Sequence, residues 1–308
     1  MFPINTNKEA IQQLEENNVD QAMKLFHKAV LEKRDVQSLT NLAWVIWREE
    51  DDLERAFSLA SEAVDLRPTS HFPYSLCGEL LLENKRYEDA LKMLQQAISI
   101  EPTNITHHNL GVAYYYLGET VKAATHFGLA AGKSDYTLYN QVKCLIEIGE
   151  KGEALRLTQT FEEDAEDFIG TIDLAELYAE IGLHDEAVYW FEKGWKDYYL
   201  QPEWVGMYVY CLLQRKQETE ANNTIKEFLR YKKEELVEAE AEELDEDWTE
   251  EDKKEVIIRL TKEINDFEIL LKKIEDGYLP AILLEPSPER DCYLFGCERH
   301  QHPEYKDS

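Results

Sequence analysis

The sequence predicts an all-α solenoid, and three observations carry that reading. First, seven alanines, Ala22, Ala56, Ala90, Ala123, Ala154, Ala187 and Ala221, recur at gaps of 34, 34, 33, 31, 33 and 34 residues. A fixed period of this length marks stacked supersecondary units rather than a single globular core. Second, only 13 Gly and 9 Pro occur in 308 residues, among abundant Leu, Ala, Glu and Lys, a balance that favours helix over strand. Third, the five cysteines are odd in number, and Cys77, Cys144 and Cys211 lie inside apolar helical patterns, so no disulfide framework substitutes for a packed core.

Each alanine opens the second helix of a unit. "LERAFSLASEAVDLRP" and "YEDALKMLQQAISIEP" superpose with Ala56, Ala63 and Pro68 falling 34 residues before Ala90, Ala97 and Pro102. The first helix of each unit ends about five residues upstream, as in "SLCGELLLENKRY", "HNLGVAYYYLGET", "YNQVKCLIEIGEK" and "IDLAELYAEIGLH". Gly118, Gly149 and Gly182 stand where a residue at positive φ closes a helix, and Asn84 is expected to serve the same role.

This pattern resembles the tetratricopeptide repeat, a helix-turn-helix unit of 34 residues. Residues 71–104 match through Tyr74, Gly78, Leu81, Ala90, Leu94, Ala97 and Pro102. Residues 104–134 match through Leu110, Gly111, Tyr114, Ala123, Phe127 and Ala130, and the unit from 168 through Leu174, Ala175, Tyr178, Gly182, Ala187 and Phe191. Trp44 departs from the pattern, standing where the second unit should carry a small residue, and the terminal Pro is missing from later units. The resemblance covers residues 3–235 and implies a right-handed solenoid of about seven helix-turn-helix repeats. Small residues let the paired helices approach, and larger ones such as Leu94, Phe127 and Phe191 fill the space to the next unit.

The resemblance also implies where a partner binds. First helices line the concave surface, and the family's inward positions correspond here to Asn41, Arg48, Phe72, Ser75, Glu79, His108, Tyr115, Tyr139, Lys143, Glu176 and Tyr210. Aromatic and polar groups in this mixture suit an extended peptide or a helix, because tyrosine offers area at small rotamer cost. The family's Lys and Asn clamp for a C-terminal carboxylate is not reproduced, since Asn41 and Lys143 lie three units apart.

Beyond residue 235 the composition changes. Residues 236–252 read as an acidic connector, within a stretch from Glu234 to Asp252 that carries twelve acidic and no basic residues. Residues 253–276 then form an amphipathic seam of Ile257, Leu260, Ile264, Phe267, Leu271 and Ile274. A seam this short is expected to cap the open end of the solenoid, with weak homodimerisation as the other use. Residues 277–308 form an irregular tail. Within it Cys292, Cys297, His300 and His302 are zinc-type ligands, but a single residue between the two histidines fits a shared tetrahedral site poorly, so no metal or other cofactor is expected.

The net charge of −30 opposes attraction to nucleic acid or anionic membrane and favours a basic partner. No basic head followed by an apolar run opens the chain, and no apolar stretch approaches a membrane span, so a cytoplasmic protein is expected. There is no phosphate loop, zinc-protease motif or nucleophile elbow, so no enzyme activity is expected. The reading is a non-catalytic scaffold or adaptor that binds a protein or peptide in its groove. An acidic immunity-type inhibitor of a basic toxin or nuclease is the alternative.

Overall fold

The computed structural model describes residues 5–130, 132, 134–195, 197–244 and 248–306. The expected boundary at residue 3, residues 245–247 of the acidic stretch and the last two residues of the tail lie outside them. Among the described residues the chain is all-helical, with no strand, and within each compact unit successive antiparallel helices stack as helical repeats. It divides into two compact units, one of residues 1–148 with 285–308 and one of residues 149–284.

The first unit holds α1 (Thr6–Glu15), α2 (Val19–Glu32), α3 (Val36–Val45), α4 (Leu53–Asp65), α5 (Phe72–Glu83), α6 (Tyr87–Ile100), α7 (Asn104–Tyr116), α8 (Thr120–Ala130) and α9 (Asp135–Glu147). A π-helical turn, Ile46–Glu50, extends α3. Each helix packs on the next, and the first helices α3, α5 and α7 also lie side by side. Helix starts are fixed by side-chain caps: Asp35, Asp52, Thr103 and Ser134 each accept a hydrogen bond from a backbone N–H of the first turn.

All seven periodic alanines are fully buried, at 0% exposure. The reason is visible at the crossings. A Cβ added to Gly78 would meet Leu94 at 2.6 Å, and one added to Gly111 would meet Phe127 at 2.7 Å, so the small residue and the large one are two halves of a single fit. The turn after α5 corrects one expectation. Asn84 sits at φ −80°, and the left-handed residue is Lys85 at φ 56°. The chain closes by paired bonds from Lys85 N–H to Leu82 O and from Arg86 N–H to Leu81 O, a geometry that fixes which position must turn left-handed whatever residue occupies it.

The second unit holds α10 (Lys151–Thr158), α11 (Thr171–Ile181), α12 (His184–Gly194), α13 (Pro202–Gln214), α14 (Glu218–Ala241), α15 (Glu250–Glu268) and α16 (Leu270–Glu275). The acidic stretch is therefore divided between the end of α14, a short connection and the start of α15. Glu250, Glu251 and Asp252 occupy the first turn of α15, where the helix dipole favours negative charge, and Thr249 with Asp252 closes a reciprocal capping box. The seam of α15 buries Leu260, Ile264 and Phe267 against α13 and α14, with the Phe267 ring stacked on Phe228 at 3.9 Å. No helix among the described residues is long and apolar enough to cross a membrane.

Candidate functional site

The candidate site is a ladder of polar side chains on the first helices of the first unit, and the chain's own tail lies along it. Asn7, Asn41, Ser75 and Asn109 stand 34 residues apart. Asn140 follows after 31, the same short step that separates Ala123 from Ala154. All five are buried. Buried amides demand partners, and two of these find them on the main chain of the tail.

Asn41 accepts a hydrogen bond from Phe295 N–H at 2.8 Å and donates to Phe295 O at 3.2 Å. Asn109 does the same with Glu289, accepting from its N–H and donating to its carbonyl, both at 2.9 Å. One side-chain amide thus satisfies both main-chain groups of one residue, as a neighbouring strand would. Contact of this kind holds a backbone in place without reading side chains. Further bonds come from Trp44, whose indole N–H donates to Asp291 O at 2.7 Å, and from Tyr136, whose hydroxyl accepts from Ser287 N–H at 2.8 Å. Trp44 breaks the repeat pattern in sequence because it reaches the tail. From Ser287 to Phe295 the tail runs from α7 and α9 back toward α3, opposite to the order of the repeats.

Side chains anchor the same segment. Tyr293, Leu294 and Phe295 are buried, and the Phe72 ring meets Phe295 at 4.9 Å, Tyr293 at 5.6 Å and His302 at 4.7 Å. Arg290 pairs with Glu83 at 2.6 Å and lies over the Trp47 ring at 4.9 Å. His108 is fully buried, and burial lowers its pKa despite the Glu289 carboxylate at 3.8 Å. Its Nε2 faces Ser287 O at 2.9 Å, so the neutral ring carries its proton there, leaving Nδ1 to accept from the Thr137 hydroxyl at 2.8 Å.

Glu79 lies at the centre. It is fully buried, accepts from the Tyr293 hydroxyl and from Asn109 Nδ2, and burial pushes its carboxyl well above the ordinary value of 4.5. A raised carboxyl pKa means that the folded chain holds the proton more tightly than the unfolded chain. The resulting stability is complete below pH 4.5 and drains away as pH climbs toward the folded value. Glu79→Gln should therefore gain stability relative to the parent as pH rises from about 5 to 8. Melting temperatures of the two proteins across that range measure the difference, and a constant gap would show that Glu79 titrates normally.

Of the residues expected in the groove, Asn41, Phe72, Ser75, Glu79 and His108 are buried together in the first unit, where Asn41, Phe72, Glu79 and His108 touch the tail. Arg48 lies in the π-helical turn that follows α3, with its guanidinium 5.7 Å from the Trp44 ring. Tyr115 and Tyr139 are half-buried on α7 and α9, and Lys143 is buried on α9. Glu176 and Tyr210 belong to the second unit, where Tyr210 packs against His184 and the core. Sequence reasoning passed over Asn7, Asn109 and Asn140. The signal was present, because three of the amides keep the register of the alanines at 34 residues and Asn140 keeps their one short step.

The comparisons agree with this architecture. Residues 78–118 match the family model described as TPR repeat. That segment, from α5 to just past α7, carries the pattern of a tetratricopeptide repeat. Among solved structures, a tetratricopeptide repeat protein from Parabacteroides merdae aligns at TM-score 0.53 and 18% identity, over 83% of this chain and 99% of that one. The C-terminal part of a TPR repeat-containing protein from Cytophaga hutchinsonii aligns at TM-score 0.56 and 14% identity, over 73% and 94%. At these identities the likeness is one of fold. In sequence, 108 residues are 34% identical to human Protein IFIT1 homolog B, covering 35% of this chain and about a fifth, 21%, of that protein. Stacked helical repeats of this kind serve many functions, so the likeness bears on architecture and not on activity.

Proposed function

We propose that this protein is a non-catalytic interaction scaffold whose first-unit groove grips an extended peptide by its main chain, and that the tail is a displaceable self-ligand in that groove. The observation that carries the reading is the paired bonding of Asn41 to Phe295 and of Asn109 to Glu289. Phe295 lies six positions after Glu289 while two repeats separate the asparagines, so each repeat takes three residues of the tail.

The same step taken once more puts Pro286 opposite Asn140. Proline has no N–H to give. Asn140 is fully buried and neither its Nδ2 nor its Oδ1 has a hydrogen-bond partner. The tail is thus an incomplete ligand, and a partner with an ordinary residue at this position gains a contact that the tail lacks.

Asn140→Leu should stabilise the protein by about 1–3 kcal/mol, since it removes a buried, unsatisfied amide. A lowered melting temperature would show that Asn140 is already satisfied. The function is tested with labelled synthetic peptides of residues 285–306, titrated against the full chain carrying Phe295→Ala to loosen the resident tail. The peptide with Pro286→Ala should bind more tightly than the natural peptide, and Asn140→Leu in the protein should erase the difference. Failure of either peptide to bind, or equal binding by both, would remove the groove from the proposal.

A further inference from the structure

We propose a second site, for a divalent cation of the zinc type, formed by Cys292, Cys297 and His300 at the end of the tail. The ligand atoms of these three residues lie within 4.8 Å of one another, and Cys297 Sγ stands 3.3 Å from His300 Nδ1. Zinc–sulfur and zinc–nitrogen bonds of about 2.3 and 2.0 Å in a tetrahedron place neighbouring ligand atoms roughly 3.5 Å apart, so the cluster needs only a small contraction.

Two tight turns bring the residues together. Gly296 at φ 87° reverses the chain between the cysteines, and Gln301, a non-glycine residue at φ 58°, closes the second turn, with His302 N–H bonded to Cys297 O at 2.9 Å. This arrangement removes the spacing objection, because the two histidines do not share the site. His302 turns its Nδ1 to Leu294 O at 3.2 Å and its ring to Phe72, leaving a Cys-x4-Cys-x2-His set within the ordinary range for the cysteine pair.

The nearest carboxylate to Cys297 comes from α1, outside the three-residue cluster itself. Glu15 brings a carboxylate oxygen to 3.7 Å from Cys297 Sγ and 3.3 Å from Arg299 N. Both thiols are buried while His300 is exposed, so an ion has a way in and, once bound, little contact with water. Binding releases one proton from each thiol and leaves the imidazole neutral, so two thiolates offset the charge of the ion. The other cysteines are remote in kind: Cys77, Cys144 and Cys211 sit singly on α5, α9 and α13. The role that follows is a staple within the tail, locking together the two turns between Cys292 and His300.

The test is titration of the reduced full chain with cobalt(II) under anaerobic conditions, followed by displacement with zinc. One equivalent should produce thiolate-to-cobalt charge-transfer bands and tetrahedral ligand-field bands, and zinc should abolish both. Cys292→Ser, Cys297→Ser and His300→Ala should each weaken zinc binding by roughly 100-fold or more, judged against the smaller losses that indirect partners cause. Far-UV circular dichroism checks that each variant keeps its helices, and the parent titration needs no variant at all. Absence of thiolate bands in the reduced parent would overturn the proposal, as would bands that survive in a Cys292→Ser, Cys297→Ser double variant.

Discussion

Lys232→Ala is expected to cost about 3–5 kcal/mol and to loosen α14 from α15, the largest single-site effect in the second unit. Lys232 is completely buried on α14, with its ammonium 3.0 Å from Glu235 and 3.1 Å from Glu263 of α15. The rings of Tyr199, Phe228 and Tyr231 surround it at 4.9, 5.5 and 5.8 Å. Truncation would leave two carboxylates facing each other across an aromatic cavity with no shared cation. Glu263 keeps a second partner in Arg259 at 2.9 Å, which places the cost toward the lower end of the range. Glu235 has no such reserve beyond the Tyr199 hydroxyl. Hydrogen exchange of α14 and α15 amides measures the effect, and Lys232→Met combined with Glu235→Gln and Glu263→Gln should recover most of it. Unchanged protection in Lys232→Ala would mean that the buried ion pair contributes nothing.

Phe295→Ala is expected to weaken tail docking by about 3–5 kcal/mol, the usual cost of deleting a buried phenyl ring. At about 1.4 kcal/mol per factor of ten, this raises the undocked population by roughly 100-fold or more. The loss is local. Phe295 contacts Phe72 and Tyr305 rather than the crossings between helices, so α1–α9 should keep their protection while the tail becomes a substrate for proteases. Limited proteolysis of the native protein, read by mass spectrometry for cuts within residues 285–306, checks this. Equal cleavage of parent and variant would show that the Asn41 and Asn109 contacts hold the tail without the ring.

The repeat architecture was legible in sequence because close helix crossings accept so few residue types. Ala90 and Gly78 are fixed by contact with their neighbours, and such constraints leave a periodic trace. The docking of the tail left almost none. Its main contacts run from Asn41 and Asn109 to backbone atoms, which every non-proline residue offers, so nothing in "SPERDCYLF" announces a groove ligand. The complementary trace lay in the asparagines, hidden because a polar residue on a helix reads as solvent-facing until its neighbours are known. The cysteine cluster was hidden for a different reason. Its ligands were visible, but the outward turn of His302 depends on Leu294 and Phe72, which no spacing rule reports.

The three-residue step has a consequence for how this protein can vary. Six residues of extended chain cover about 20 Å, and two steps between neighbouring helices at roughly 10 Å each cover the same distance. Length between Glu289 and Phe295 is therefore commensurate with the scaffold, whereas identity at Arg290 or Asp291 is not bound by that match. Exchanging letters there leaves the two rulers aligned; adding or removing a single one would slide every downstream rung out of reach.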